Sequence, residues 1–327
     1  MILESNIHQI QAYLEAQEVL EEGETITSLA IPGEGNMNFT LRVTTNERSM
    51  IIKQSRSYVE KYPHVPAPAD RCMREAEFYH LICTYASIGN MTPYLLLVDR
   101  ESNILLMEDF GVSKDFTYLY HTDEVIDDQD LKTIMSFAAN LHSLVTTDHI
   151  PFTIENMEMR KLNHEHMYIY PFMEDNGFDL DSICEGLQAV SMKYKQDKVL
   201  KTRILKMGEE YLINGNTLLH GDYFPGSWLK ASNGVKVIDP EFCFFGDPSF
   251  EVGVTIAHLY MANQPESTIQ KAITYYKEIA PIDVAKVMQC AGLEIMRRIL
   301  GLAQLPLKIN LKQRVALLDR AYHFIIN

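Results

Sequence analysis

Cysteine is scarce, basic residues are outnumbered, and no hydrophobic run is long enough to cross a bilayer. The five cysteines (Cys72, Cys83, Cys184, Cys243, Cys290) lie far apart, with no CxxC pair and an odd total. That spacing argues against a disulfide framework or a zinc site and predicts free thiols in a reducing compartment. Lys and Arg number 29 against 44 Asp and Glu, a formal net charge of −15. A chain so acidic does not grip nucleic acid through a basic surface, and it does not dock electrostatically on an acidic membrane. A solvated acidic surface accounts for the balance, although a cationic substrate would suit it too. The N-terminus "MILESNIHQIQAYLEAQEVLEEGE" lacks a basic stretch followed by an apolar core, so no signal peptide is expected. No apolar run approaches the ~20 residues of a membrane span. The expectation is a soluble, cytoplasmic protein. There is no internal repeat and no low-complexity tract.

What is present is ordinary for a globular chain: 327 residues, 46% hydrophobic and 22% charged. That suits one large or two modest domains. Residues 5–20 carry helical spacing, with Ser5 or Asn6 as cap and Ile7, Ile10, Tyr13 and Leu14 on one face. "SLAIPGEGNMNFTLRV", the turn "TTNERS" and "MIIKQ" read as an antiparallel meander. The helix "DRCMREAEFYHLICTYAS" follows, then two strands in "PYLLLVDRESNILLMEDFG" around a polar turn. After Gly111 the pattern turns helical, at "DQDLKTIMSFAANLHSLV" and again at 180–212, 268–279, 283–304 and 311–325. Two β-rich segments, "TLLHGDY" and "GVKVIDPEFCFF", interrupt it. The prediction is an α+β fold of two lobes: a small sheet lobe over 1–108 and a larger, mainly helical lobe over 109–327, joined at "MEDFG".

Six features stand in one order along these elements. Gly33-Glu34-Gly35-Asn36 lies between two strands, where glycines let backbone N–H groups approach a polyphosphate, or simply make a turn. Lys53 sits in a strand, either facing solvent or held inside for a charge. Glu75 opens the helix "REAEFYHLI", as a solvated first-turn acid or as a partner for Lys53. The strand before "MEDFG" is followed by His220-Gly221-Asp222 after an apolar pair, with Ser227 five residues beyond the aspartate. Asp239 and Glu241 end a buried-looking strand; such a pair suits a hard divalent cation, or a plain acidic turn. The order matches a kinase layout: phosphate-covering loop, strand lysine with helix glutamate, catalytic aspartate, metal-holding carboxylate.

"HGDYFPGS…VIDPEFCFFGDPSFEVG" resembles the aminoglycoside phosphotransferase/choline kinase superfamily of small-molecule kinases, and within it the 5-methylthioribose kinases. The likeness covers residues ~33 to ~304: Gly33–Asn36, Lys53-Gln54, Gly226-Ser227, Asp239–Phe242 and "MRRILGLAQ". It implies a protein-kinase-like fold and transfer of the ATP γ-phosphoryl group to an alcohol. In that scheme Asp222 is the base and Glu75 orients Lys53, which pairs with the α/β-phosphates. Gly33, Gly35, Asn36, Met107 and Glu108 line the nucleotide. Asp239, Glu241 and Ser227 face Mg2+, while Asp222, Arg297 and Arg298 meet the acceptor, a methylthioribose-like sugar. An aminosugar or amino alcohol is the alternative acceptor, and a nucleotide-binding pseudokinase scaffold is the rival of another class. A homodimer is held open. The chain departs from the superfamily pattern at Phe224 (usually a second histidine), at Ser227 (usually asparagine) and at Glu251 (commonly aspartate holding the catalytic loop).

Arg297 and Arg298 lie in a helix that looks apolar nearly all round, so their charges need partners. Glu294 offers helix ion pairs, and a guanidinium fork also suits sugar oxygens, so one arginine could serve each role. His220 reads as a histidine that braces the loop. His164 and His166 lack a third ligand at metal spacing.

Overall fold

Asn6 accepts a hydrogen bond from the Gln9 backbone N–H and starts α1 (Ile7–Ala16), which buries Ile10, Tyr13 and Leu14 while Ile7 stays exposed. The protein is described by a computed structural model that covers residues 1–33, 35 and 37–327; Glu34 and Asn36 of the glycine segment lie outside the described residues. The chain then forms β1 (Ile26–Ala30), β2 (Phe39–Thr45) and β3 (Ser49–Gln54), followed by a small hairpin of β4 (Tyr58–Val59) and β5 (Tyr62–Pro66). Helix α2 (Arg71–Ile82) and the single turn α3 (Ala86–Gly89) lead to β6 (Leu95–Asp99) and β7 (Ile104–Glu108). The sheet is antiparallel in the order β1-β2-β3-β7-β6, so β3 is flanked on both sides.

Alternation along β3 decides where its lysine goes. Met50 and Ile52 pack toward α1 in one apolar cluster, and Ile51 packs with Cys72, Met73 and Ala76 of α2 in another. Lys53 shares a face with Ile51 by the two-residue period, so it points under α2 and is buried. The helix starts four residues before Glu75, so that glutamate sits a full turn inside α2 rather than at its opening.

Beyond Glu108 the order is β8 (Lys114–Asp115), α4 (Asp128–Leu144), α5 (Met157–His164), α6 (Leu187–Lys195), α7 (Lys198–Tyr211), β9 (Thr217–Leu219), β10 (Trp228–Ala231), β11 (Gly234–Val237), β12 (Phe244–Gly246), α8 (Pro248–Met261), α9 (Glu266–Lys277), α10 (Val284–Leu300) and α11 (Leu311–Ile326). β9 pairs with β12, and β10 pairs with both β11 and β8. The helical stretch expected over 180–212 is broken: Asp197 accepts from the Val199 and Leu200 N–H groups and caps a new helix. The helix expected over 283–304 ends at Leu300, and Leu302 is exposed in the following turn. Sequence spacing missed α8 altogether. Every residue from Ser249 to Met261 is buried, so the helix has no polar face and no amphipathic period. Among the described residues, no helix is long and apolar enough to cross a membrane.

Helices α8 and α10 cross closely at Gly253, where a Cβ would stand 2.4 Å from the Cys290 Cβ and 2.8 Å from the Val287 carbonyl oxygen. Gly253→Ala should therefore overpack the helical core at a cost of about 1–3 kcal/mol. Thermal unfolding should show a melting temperature lowered by several degrees. An unchanged melting temperature would mean that the crossing yields without strain.

Candidate functional site

Lys53 takes its charge partners from two distant parts of the chain. Its Nζ donates to Glu75 Oε2 at 2.5 Å and also to Asp239 Oδ1. Burial opposes the ammonium, but Asp239 and Glu75 outweigh it and hold the lysine well above its ordinary pKa. Glu75 is buried on α2, and its Oε1 accepts from the Tyr79 hydroxyl (3.1 Å), which in turn accepts from the Asp239 N–H (3.1 Å). Asp239 stands at φ +69°, a left-handed conformation that side chains pay for in steric strain, and strain of this kind collects at functional sites. Its carboxylate is about half exposed, at 48%. Burial works against its charge, yet Lys53 keeps its pKa below the usual range.

Glu241, two residues on, is buried rather than facing open space. Its Oε2 accepts from Asn38 Nδ2 at 2.8 Å and lies 3.2 Å from Arg71 Nε. Burial, reinforced by the Asp239 carboxylate, pushes Glu241 up to about 7. Arg71 also donates to four main-chain carbonyls, those of Arg56, Pro68, Met37 and Tyr58. It thereby ties the segment after the glycines to the 239–241 turn. Arg71, Asn38 and Tyr79 were not singled out from sequence, since none of them carries a motif.

The catalytic-type loop packs directly on that turn. At Gly221, φ +87°, a Cβ would stand 2.1 Å from the Phe242 carbonyl oxygen, so both the backbone angle and the contact demand glycine. His220 is fully buried and its Nε2 lies 2.9 Å from the Ile238 carbonyl oxygen, the bracing position expected for it. The Gly221 N–H donates to Glu251 Oε2 (2.8 Å) on α8, and Glu251 Oε1 lies 2.9 Å from His142 Nε2 on α4. Ser227 Oγ donates to the Asp222 carbonyl oxygen at 2.7 Å, closing the loop on itself. Asp222 remains partly open, with its side chain 27% exposed. Burial pushes its carboxyl up, and Arg298 and Arg297 counter that shift.

Both arginines of α10 converge on Asp222. Arg298 Nη2 lies 3.5 Å and Arg297 Nη2 3.9 Å from Asp222 Oδ1, while both Nε atoms bind Glu294. The ion-pair role with Glu294 falls to both arginines rather than to one, and both guanidiniums also approach Asp222. At the joint, Glu108 exchanges bonds with Tyr94: its N–H donates to the Tyr94 carbonyl (2.9 Å), and its Oε2 accepts from the Tyr94 N–H (3.2 Å). Met107 is buried on β7 opposite Ile51 and Leu95. Gly33 and Gly35 are exposed, and a Cβ on either would meet nothing within 4 Å. Among the described residues no three His, Cys, Asp or Glu side chains form a metal-ligand group.

His258 of α8 lies behind the arginines, between Tyr120 and Glu294. Burial outweighs the pull of Glu294 and lowers its pKa from 6.5 to about 4. A histidine that titrates lower in the folded than in the unfolded chain supports folding fully above the unfolded pKa. That support fades as pH falls through the folded value. Stability should therefore drop by about 3 kcal/mol from this group alone between pH 6.5 and 4. Denaturant unfolding across that window should show the decline, and His258→Phe should flatten it; an equal slope in the variant would assign the acid loss elsewhere.

The model of the phosphotransferase enzyme family (APH) matches residues 29–285. A methylthioribose kinase from Exiguobacterium sibiricum is 25% identical over 244 residues, 72% of this chain and 61% of that protein. One from Bacillus cereus is 24% identical over 257 residues, 75% of this chain and 63% of that protein. The matched stretch thus spans about three-fifths of the length of these curated relatives. Among solved structures, the choline kinase LicA from Streptococcus pneumoniae superposes with a TM-score of 0.54 at 13% identity, over 97% of this chain and 99% of that one. A spectinomycin phosphotransferase in complex with ADP and spectinomycin gives 0.52 at 13% identity, over 98% of each chain. These likenesses establish the expected two-lobed, protein-kinase-like fold, and the match over residues 29–285 places the chain in the phosphotransferase enzyme family.

Proposed function

We propose that the protein is a kinase that transfers the γ-phosphoryl group of ATP to a hydroxyl of a small, uncharged sugar of the methylthioribose type. The observation that carries this reading is the pairing of two charge clusters on adjoining loops. Around Lys53, three carboxyl groups (Glu75, Asp239, Glu241) face two cations (Lys53, Arg71), so the cluster turns net negative once Glu241, raised to about 7, is ionised. Around Asp222, two carboxylates (Asp222, Glu294) face two guanidiniums and balance them.

The first cluster fits a divalent cation with a nucleotide. Asp239 offers a half-exposed carboxylate, and the contacts of Glu241 to Asn38 and Arg71 run through Oε2, leaving Oε1 as a hard oxygen donor. Mg2+ held there would neutralise charge on the transferring phosphate. Lys53, released in part from Asp239, would pair with the α- and β-phosphates while Glu75 keeps it oriented. Among the described residues, none crowds a Cβ added at Gly33 or Gly35, which fits a backbone reserved for close approach to phosphate. Met107 and Glu108, on the strand that leads to the joint, would border the base. Ser227 contributes by fixing the Asp222 carbonyl, and so the loop's shape.

At the second cluster Asp222 would accept the hydroxyl proton as the hydroxyl oxygen attacks. Its raised pKa suits it to take that proton, and the nearby arginines keep it ionised beforehand. Arg297 and Arg298 present N–H donors only, so they favour sugar oxygens and repel a cationic acceptor. This weighs against the amino-alcohol alternative despite the acidic composition. The lobes would divide after Glu108, the nucleotide beneath the sheet and the acceptor against α10.

Coupled assays of ATP consumption with methylthioribose, choline and an aminoglycoside test the reading; turnover of methylthioribose alone is expected. Turnover confined to choline or the aminoglycoside would overturn the acceptor class, and nucleotide binding without any turnover would favour the scaffold. Asp222→Asn should lower kcat by about 10²–10⁴-fold with nucleotide affinity retained. Arg298→Lys, which keeps charge but loses the planar fork, should raise the sugar KM by roughly tenfold or more and leave the nucleotide KM in place. Asp239→Ala should weaken Mg2+-dependent nucleotide binding, seen by calorimetry with and without the metal; equal binding in both would remove Asp239 from the metal site.

A further inference from the structure

Glu294 stands one turn before the arginines on α10 and is fully buried. Its Oε2 accepts from Arg297 Nε (2.5 Å), and its Oε1 accepts from Arg298 Nε (2.7 Å) and lies 3.0 Å from His258 Nε2. On the far side, His258 Nδ1 meets the Tyr120 hydroxyl. With its pKa near 4, His258 is neutral at ordinary pH and carries one ring proton. A carboxylate can only accept, so that proton belongs on Nε2, and Nδ1 accepts a hydrogen bond from the Tyr120 hydroxyl. The donors run in one direction: Tyr120 to His258, His258 to Glu294.

Arginine–carboxylate pairs are frequently bidentate, with two parallel N–H bonds from one guanidinium. Here each arginine gives Glu294 only its Nε–H. The outer nitrogens are left for other work: Arg298 Nη2 and Arg297 Nη2 face Asp222, and Arg298 Nη1 reaches the Ala303 carbonyl at 3.4 Å. Phe224 supports the arrangement from below. The Arg298 guanidinium lies over its ring, 5.1 Å from the centroid, and the same ring packs 5.1 Å from the His258 ring. A residue that breaks the superfamily's histidine pattern thus becomes part of the support.

We propose that Glu294, braced by His258 and Tyr120, is the positioning residue of an acceptor clamp: by taking both Nε–H groups it turns the outer nitrogens of Arg297 and Arg298 toward Asp222. This rests on the kinase reading above and narrows its acceptor to one whose hydroxyl neighbours are themselves oxygen acceptors, such as a polyol. A cationic group beside the reacting hydroxyl would face two guanidiniums with no free carboxylate except the base itself.

The test uses Glu294→Gln, of equal shape but with an amide that cannot accept from both arginines, and His258→Phe, which keeps the ring and removes the donor. Steady-state assays with methylthioribose should show the sugar KM raised roughly tenfold or more in Glu294→Gln. The rise should be smaller in His258→Phe, with the nucleotide KM unchanged in both. A loss confined to stability, or equal rises in both KM values, would reduce Glu294 to a neutralising partner and overturn the proposal. A crystal structure of Glu294→Gln gives a readout that needs no acceptor: at least one guanidinium should leave Asp222, and both remaining within 4 Å would overturn the clamp. If Glu294→Gln does not fold, His258→Phe carries the same KM comparison. If the wild-type protein phosphorylates choline and no neutral sugar, the acceptor reading falls by itself. The Glu294→Gln structure still decides whether the carboxylate aims the arginines.

Discussion

A lysine ammonium has been taken out of water in the middle of a sheet, and much of the site's arrangement answers to that. Burying such a charge is costly unless carboxylates surround it. Lys53 finds one on α2 and one at the end of β11, elements separated by more than a hundred residues of chain. The pairing fixes where α2 lies against the sheet and brings the 239–241 turn of the helical half up to the sheet half. Tyr79 ties the two carboxylate-bearing segments together, and Arg71 adds a second crossing through Glu241. The sheet-bearing and helical segments are thus held together by these charge contacts as well as by the continuous chain.

From that turn the order propagates by close packing. Gly221 leaves no room above the Phe242 carbonyl, so the position of Asp239 and the position of Asp222 are set together. Glu251 anchors the same loop from α8, and α8 is buried from Ser249 to Met261, so the loop's anchor belongs to the core. His142 connects this anchor to α4 and, through the Tyr276 hydroxyl 2.8 Å from its Nδ1, to α9. A longer carboxylate than the superfamily's common aspartate has room here because it bridges two partners, the Gly221 N–H and His142.

The sheet half was legible because its strands alternate, and the α1, α2 and α4 helices because each has one wet face. The contact of Lys53 with Glu75 and Asp239 was legible for another reason: Lys53 and Asp239 are charges at the end of apolar runs, and the order of the three along the chain is informative. Where the signal vanished, the physics had removed it. Helix α8 shows no period because no side faces water, and β10 pairs with a two-residue strand too short to carry a pattern. The one-turn setback of Glu75 follows from helix geometry, since it must lie over β3 to reach Lys53. Arg71 and Asn38 left no trace because a residue that binds backbone carbonyls or a buried carboxylate needs no motif. Phe224 and Glu251 were visible as departures, but what they do depends on neighbours brought in from α4, α8 and α10.

In the proposed kinase reading, the two clusters would let one acidic chain hold reactants of opposite preference a short distance apart. Negative charge at Asp239 and at an ionised Glu241 would be useful only if a divalent cation came with the phosphates, because phosphate alone would be repelled. At Asp222 the carboxyl sits in a partly buried loop that favours the neutral acid. Two guanidiniums oppose that shift, and Glu294 keeps them from becoming a net positive site that would bind any anion. In the proposed kinase reading, a neutral acceptor is the group that neither cluster would repel. The surface charge of −15 plays no part in that choice, since it is screened within about 10 Å of water and salt, while the groups around Asp222 act at 3.5 to 3.9 Å inside the protein. The field at Asp222 is thus set by four charges in close contact rather than by the composition of the whole chain.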